Sequence, residues 1–373
     1  MGATAVRDAA SIKVPVAVFG RAQRVPLSAA NRSFERSVGL LVNNSERMVC
    51  SAFCVDDAIV ATAAHCLFRT AGEKRPRLAD FRFIRRIQGA AASAAVRIAG
   101  AGVNATSQSV LAGSRQLSVK PPIEATRDWA FVRLDKPICQ GATLAVRPGS
   151  ADDIISAARE RRLYQVGFHR DFADWRLAIA RGCGAARNFE AADWSSIERD
   201  FIEAQHLILH TCDTGGASSG SPLLIDGANG PEVVGINVGT YVQTKVLVER
   251  GEIVHRYRAD PVANTGVSAE AFAAQLALFR EAQLLNSAAH VRDLQARLKA
   301  RGIYFGALDG VYGINLKQAI EAYEQTERLP VSGLATLALL RRLGDDAVTT
   351  SSIPSSDRPP PVRASRSPTI RTK

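Results

Sequence analysis

Thr62-Ala63-Ala64-His65-Cys66, Arg127-Asp128-Trp129-Ala130 and Ala217-Ser218-Ser219-Gly220-Ser221-Pro222 are the three stretches on which the reading of this chain turns. They lie far apart in sequence and carry three residue types that act together in acyl chemistry. A serine hydroxyl is a weak nucleophile at neutral pH and needs an imidazole to take its proton as it attacks. The imidazole needs a carboxylate to fix its tautomer and to stabilise the imidazolium that forms. His65, Asp128 and Ser219 fit those places as base, orienting group and nucleophile. Each alone has a plainer reading: a histidine in a β-protein is often a satisfied core residue, and Asp128 can cap a turn. The conjunction of three motifs carries the weight.

The sequence around them reads as β-structure. From Ser37 to Leu134 short apolar runs alternate with polar turns, among them Val38-Gly39-Leu40-Leu41-Val42, Ala58-Ile59-Val60-Ala61-Thr62 and Trp129-Ala130-Phe131-Val132-Arg133-Leu134. A second set follows at Leu163-Tyr164-Gln165-Val166-Gly167, His206-Leu207-Ile208-Leu209, Pro222-Leu223-Leu224-Ile225 and Val233-Val234-Gly235-Ile236. Two sets of short strands with turn residues between them predict a barrel or sandwich. Residues 268–284 change to helical spacing through Phe272, Leu276 and Phe279, with Ser268 as the expected N-cap. Residues 1–35 show no sustained periodicity and read as a loose N-terminal extension.

The three motifs, in the order His, Asp, Ser, resemble those of the trypsin-like (chymotrypsin-fold) serine peptidases. That resemblance implies a mainly β fold of two six-stranded antiparallel barrels over residues 36–284. It implies an endopeptidase working through an acyl-enzyme on Ser219, with no metal and no organic cofactor, and a protein or peptide as substrate. The serine motif is more similar to the bacterial glutamyl-endopeptidase branch than to the animal enzymes. Ser218 stands where trypsin has the aspartate that receives a new N-terminal amine, so trypsin-style activation is not expected. By resemblance the oxyanion hole comes from the backbone N–H groups of Ala217 and Ser219, where the family usually has glycine at the first position. That alanine keeps a second reading open: a catalytically inactive, protease-fold binding protein.

Six cysteines, with no C-x-x-C pair and no zinc spacing, read as three disulfides in an oxidising compartment. The resemblance implies Cys50–Cys66 beside the histidine. Cys183–Cys212 in the second barrel and Cys54–Cys139 in the first are the expected remaining pairs, although spacing alone leaves every pairing open. Substrate contacts are expected from Asp213, Thr214, Asn237, Val238 and Gly239. Asp213 lies where trypsin has its pocket-floor carboxylate, which would favour Arg or Lys on the acyl side of the cut. The other reading of Asp213 is an acceptor of turn N–H groups. Val238 to Thr240 would be the edge that pairs with substrate backbone.

Residues 289–344 read as a compact three-helix unit. Val291-Arg292-Asp293-Leu294-Gln295-Ala296-Arg297-Leu298, Gly302, Gly306, Asp309-Gly310-Val311-Tyr312-Gly313 and Leu329-Pro330-Val331-Ser332-Gly333 resemble a peptidoglycan-binding module. The resemblance implies cell-wall peptidoglycan as a partner; the plainer reading is a generic helical interaction domain. Leu334, Leu337, Leu340 and Leu343 suggest its third helix. The Ser-, Pro- and Arg-rich tail of residues 345–373 is expected to be disordered.

Composition sets the outer bounds. In 373 residues, 46% are hydrophobic and 22% charged, which excludes a wholly disordered chain. Lys and Arg number 47 against 36 Asp and Glu, a net charge of +11 that favours anionic partners. No nucleic-acid motif accompanies the charge, so nucleic acid is not expected. No apolar stretch is long enough to span a membrane. A monomer, periplasmic or secreted in a bacterium, is the expectation. The run Val14-Pro15-Val16-Ala17-Val18-Phe19 is short and broken by proline, a poor signal core.

Overall fold

A computed structural model describes residues 5–13, 18–19, 22–68, 76–85, 94–100, 106–172, 175–190, 192–249, 252–256 and 260–351. Most of the apolar run at 14–19, and the tail from 352 onward, lie outside the described residues.

The fold is mainly β, built on two sheets. In the first, the order is Ala94–Arg97, Arg82–Arg85, Val38–Asn43, Met48–Asp56, Ile59–Thr62, Ala130–Arg133 and Val110–Ala112, all antiparallel. Val38–Asn43 and Ile59–Thr62 are buried along their whole length, which is why they read as unbroken apolar runs rather than alternating ones. In the second sheet, the order is Leu207–His210, Asp260–Ser268, Gly230–Glu249, Pro222–Gly227, Tyr164–Phe168, Leu177–Arg181 and Arg24–Pro26. Ala5–Lys13, Ala145–Val146 and Glu252–Arg256 also pair with Gly230–Glu249, and of these only Ala145–Val146 runs parallel to it.

The described sheets thus have seven and ten strands, more than the six expected of each. In the ten-stranded sheet the main cause is the 20-residue strand Gly230–Glu249, which is long enough to take further strands along its length. Residues 1–35, expected as a loose extension, supply two strands of the second sheet, Ala5–Lys13 and Arg24–Pro26. Neither shows a usable period in sequence, because a three-residue strand is too short for one, and Ala5–Lys13 mixes alanine with charges.

Phe131 ties residues 268–284 to the first sheet. Its ring lies 5.2 Å from Trp129, 5.9 Å from Phe272 and 6.3 Å from Phe279. The expected helix at 268–284 is a 3-10 turn, Ala269–Ala271, followed by an α-helix, Ala273–Glu281. Ser268 heads the 3-10 turn without a side-chain cap bond, being itself the last residue of a buried strand. Three short helices were not expected: Phe34–Ser37, Ala151–Arg159, opened by a capping box between Ser150 and Asp153, and Trp194–Asp200, capped by Asp193.

Helices Ala288–Ala300, Ile314–Thr326 and Leu337–Ser351 enclose a separate apolar cluster that includes Val291, Leu294, Leu298, Tyr312, Ile320 and Leu340. Buried Gln295 holds the turn between the first two. Its Nε2 donates to Asp309 Oδ1 at 2.7 Å, and its Oε1 accepts from Gly310 N at 2.9 Å. The third helix starts at Leu337 rather than Leu334, because Leu334 packs into the core of the β-region instead. It runs to Ser351, seven residues into the segment expected to be disordered. The unit is docked: Ala335 N donates to Gln108 Oε1 at 3.2 Å, and Leu284 bridges to Thr336.

Candidate active site

His65 lies in the 3-10 turn Ala64–Cys66 that ends the strand Ile59–Thr62 of the first sheet. Asp128 lies just ahead of the strand Ala130–Arg133, the neighbour of Ile59–Thr62. Adjacent strands therefore deliver the two side chains to one end of the sheet. Asp128 Oδ2 is 2.6 Å from His65 Nδ1, and its Oδ1 accepts from His65 N at 2.9 Å. The two contacts fix both the ring and the backbone that carries it. With Nδ1 facing a carboxylate, the neutral imidazole carries its proton there, and Nε2 keeps its lone pair. Burial disfavours the imidazolium, but the charge of Asp128 and its hydrogen bond outweigh that, and the His65 pKa is raised above 6.5.

Ser219 precedes the strand Pro222–Gly227 of the second sheet, and its turn is braced on all sides. Ser51 N donates to Ser219 O at 2.9 Å, and Ser51 Oγ donates to Ala217 O at 2.9 Å. The Ser218 carbonyl accepts from Ser221 N at 3.1 Å, Ser221 Oγ at 2.6 Å and Asn237 Nδ2 at 3.0 Å. The Ser218 hydroxyl accepts from Gly215 N at 3.2 Å, closing the loop that an aspartate would otherwise order. Gly220 is obligatory: its φ is +80°, and a Cβ there would lie 2.2 Å from Thr62 Oγ1 and 2.3 Å from Ser51 O. That contact presses the serine turn onto Thr62, three residues ahead of His65.

Ala217 has φ +79°, the left-handed region that favours glycine. The conformation is present despite its Cβ. Among the described residues, neither Ala217 N–H nor Ser219 N–H donates to a protein acceptor, so both remain available to a ligand oxygen. No hydrogen bond joins Ser219 Oγ to His65; Cys66 Sγ lies 3.9 Å from His65 Nε2. Cys66 is bonded to Cys50, and the other pairs are Cys54–Cys139 and Cys183–Cys212. Cys50, His65 and Cys66 are grouped closely enough to suggest a metal, but the disulfide removes both thiolates as ligands.

The residues expected to contact substrate fall into two groups. Asp213 is fully buried; one oxygen accepts from Gln23 N, and the other has no partner. Thr214 does not reach it. Its hydroxyl donates instead to Asn264 Oδ1 at 3.2 Å, which also accepts from Thr240 Oγ1 at 2.7 Å. Asn264 Nδ2 donates to Cys212 O at 2.6 Å, completing a buried Thr-Asn-Thr cluster. Asn237 is taken up by Ser218, whereas Val238 and Gly239 lie on the strand just beyond it. Sequence reasoning missed Ser51, Asn264 and Gln23. Only the distant pairing of strands reveals them, and no local pattern marks them.

A trypsin-like peptidase domain model matches residues 50–236, and a peptidoglycan binding domain model matches residues 287–343. A solved structure described as a Glu endopeptidase in complex with MPD aligns with 12% identity and a TM-score of 0.44, covering 71% of this chain and 99% of its own. No curated protein matches the chain. Among the described residues, no helix is long and apolar enough to cross a membrane.

Proposed function

The chain belongs to the trypsin-like peptidase family, and from that premise we propose that it is a serine endopeptidase in which Ser219, His65 and Asp128 form the catalytic triad. One observation carries the proposal: Asp128 grips His65 at both Nδ1 and backbone N, leaving Nε2 as the ring's basic nitrogen. When a peptide carbonyl reaches Ser219, Nε2 accepts the hydroxyl proton as the oxygen attacks. The negative charge that develops on the carbonyl oxygen is met by Ala217 and Ser219 N–H. Such a donor contributes about 3–4 kcal/mol of transition-state stabilisation. The imidazolium then gives its proton to the leaving amine, and water, deprotonated by the same nitrogen, releases the acyl group. In a resting enzyme the serine–histidine bond is often long and tightens with substrate, so its absence here fits this scheme.

The C-terminal unit, whose sequence matches a peptidoglycan binding domain, is proposed to hold the peptidase at the bacterial cell wall, outside the cytoplasm. The three disulfides fit that compartment. Asp213 is assigned as a buried acceptor for the N-terminal segment rather than a free pocket charge, because Gln23 N already occupies one of its oxygens. The rival reading, a peptidase fold without turnover, rests on Ala217. Digestion of unfolded casein separates the two: the chain should cleave it, and Ser219→Ala and His65→Ala should each lower the rate at least a thousandfold. Equal cleavage by Ser219→Ala would remove the serine from the mechanism.

A further inference from the structure

The substrate edge of this peptidase, taking the reading above as its basis, is bounded on both sides by the chain itself. Ile236 of the long strand Gly230–Glu249 pairs with Pro222 on one side and Val267 on the other. Asn237 N donates to Ser221 O at 2.9 Å, and Asn237 O accepts from Gly220 N at 2.8 Å, so the serine turn takes this residue. Farther along, Thr240 to Gln243 pair with Asp260–Ser268 on one side and with Ala5–Lys13 on the other. The strand Ala5–Lys13 therefore occupies the same edge as Pro222–Gly227 and the serine turn. Its last pair is Lys13 with Thr240. Among the described residues, none pairs with Val238 and Gly239 on that edge between the nucleophile's turn and the N-terminal strand.

An extended peptide docking on this edge by strand addition gains its affinity from backbone hydrogen bonds. With Ala5–Lys13 in place, such a peptide finds the edge from Thr240 to Val248 already paired. Without that strand, the edge along Thr240 to Val248 loses its partner, and every second residue presents a free backbone N–H and C=O there. A second contact ties the same N-terminal stretch to the site: Gln23 N donates to buried Asp213, six residues ahead of Ser219, and Arg24 pairs with Asp171 at 2.9 Å. We infer that the edge Thr240–Val248 is an extended polypeptide-binding site, and that Ala5–Lys13 is its intramolecular occupant, restricting long substrates until it is displaced.

The test uses the full chain carrying Ser219→Ala, so that binding is read without cleavage, with fluorescein-labelled unfolded casein as the probe. Ala9→Pro with Ala10→Pro removes a ladder hydrogen bond whichever of the two residues faces the partner strand. Ala10→Cys with Gln243→Cys locks the strand instead. These residues are register partners, and directly opposed Cα atoms at about 4.5–5.5 Å suit a disulfide. The proline variant should bind casein at least fivefold more tightly than its parent. The oxidised lock should bind at least fivefold more weakly than the proline variant, and circular dichroism should show all three folded alike. Equal affinities in the three would overturn the inference. Labelling of the Ser219 chain by a small fluorophosphonate needs no extended edge and judges the peptidase reading separately: casein binding that changes as described in a chain that never labels would sink that reading and leave this one standing.

Discussion

Ala217 concentrates the strain of the site in one residue. A non-glycine residue at φ +79° costs about 1–2 kcal/mol, because the Cβ crowds its own backbone. Ala217→Gly should therefore stabilise the fold by about 1 kcal/mol, net of the greater freedom glycine has when unfolded. It should leave serine labelling unchanged or faster. A loss of stability in chemical denaturation would show that the Cβ makes contacts worth more than the strain. Gly220→Ala is the converse. With Thr62 Oγ1 and Ser51 O both inside 2.5 Å of the new Cβ, it should unseat the turn and abolish activity. His65 sets the pH dependence. It must be neutral to accept a proton, and Asp128 raises its pKa above 6.5. Activity should thus fall as pH drops through a midpoint above 6.5, and Asp128→Asn should move the remaining activity's midpoint downward. A wild-type midpoint below 6.5 in a kcat/KM profile would contradict this.

At the scale of elements, the three disulfides differ in the loops they close: 85 residues for Cys54–Cys139, 29 for Cys183–Cys212 and 16 for Cys50–Cys66. On chain-entropy grounds the contributions are about 4.6, 3.6 and 3.1 kcal/mol. Paired Cys→Ala variants should lose stability in that order, and Cys50–Cys66 ranking first in denaturant titrations would point to a specific role in fixing the His65 turn. Strands buried on both faces, such as Val38–Asn43 and Ile59–Thr62, were legible because burial demands continuous apolar sequence. The motifs at His65, Asp128 and Ser219 stand out in sequence because few residue types suit acyl chemistry, and the fold brings His65 and Asp128 into contact. The helix Ala151–Arg159 was passed over although Ser150 and Asp153 spell its cap, since it is short and flanked by strands. Arg24–Pro26 and Ala5–Lys13 left no local sign, because their place depends on a partner strand more than 150 residues away. Ser51 and Asn264 belong to the same class: polar residues inside strands, whose meaning comes only from what the fold sets beside them.

Over the whole molecule, two buried histidines oppose acidification. Burial lowers His169 and His210 to about 4, for His169 with help from Arg24, so the folded state refuses protons that the unfolded chain accepts near 6.5. Their contribution is intact above 6.5 and is lost as pH falls toward 4. His65 acts in the opposite sense and in another range: its stabilisation is present below 6.5 and is lost as pH rises through its raised pKa. The melting temperature should fall between pH 6.5 and 4.5; a flat profile would contradict the assignment. The C-terminal unit should carry the chain onto purified cell-wall sacculi in co-sedimentation at 0.5 M salt, where the Debye length is only about 4 Å. Binding that vanishes at that salt would reflect the +11 net charge rather than a site. The central claim spans both sheets, since His65 and Asp128 come from the first and Ser219 from the second. Its most direct measurement is mass mapping of the residue modified by a fluorophosphonate. The account predicts one adduct, on Ser219, absent in Ser219→Ala and strongly slowed in His65→Ala. An adduct on any other residue, or none on a chain shown to be folded with its three disulfides intact, would contradict it.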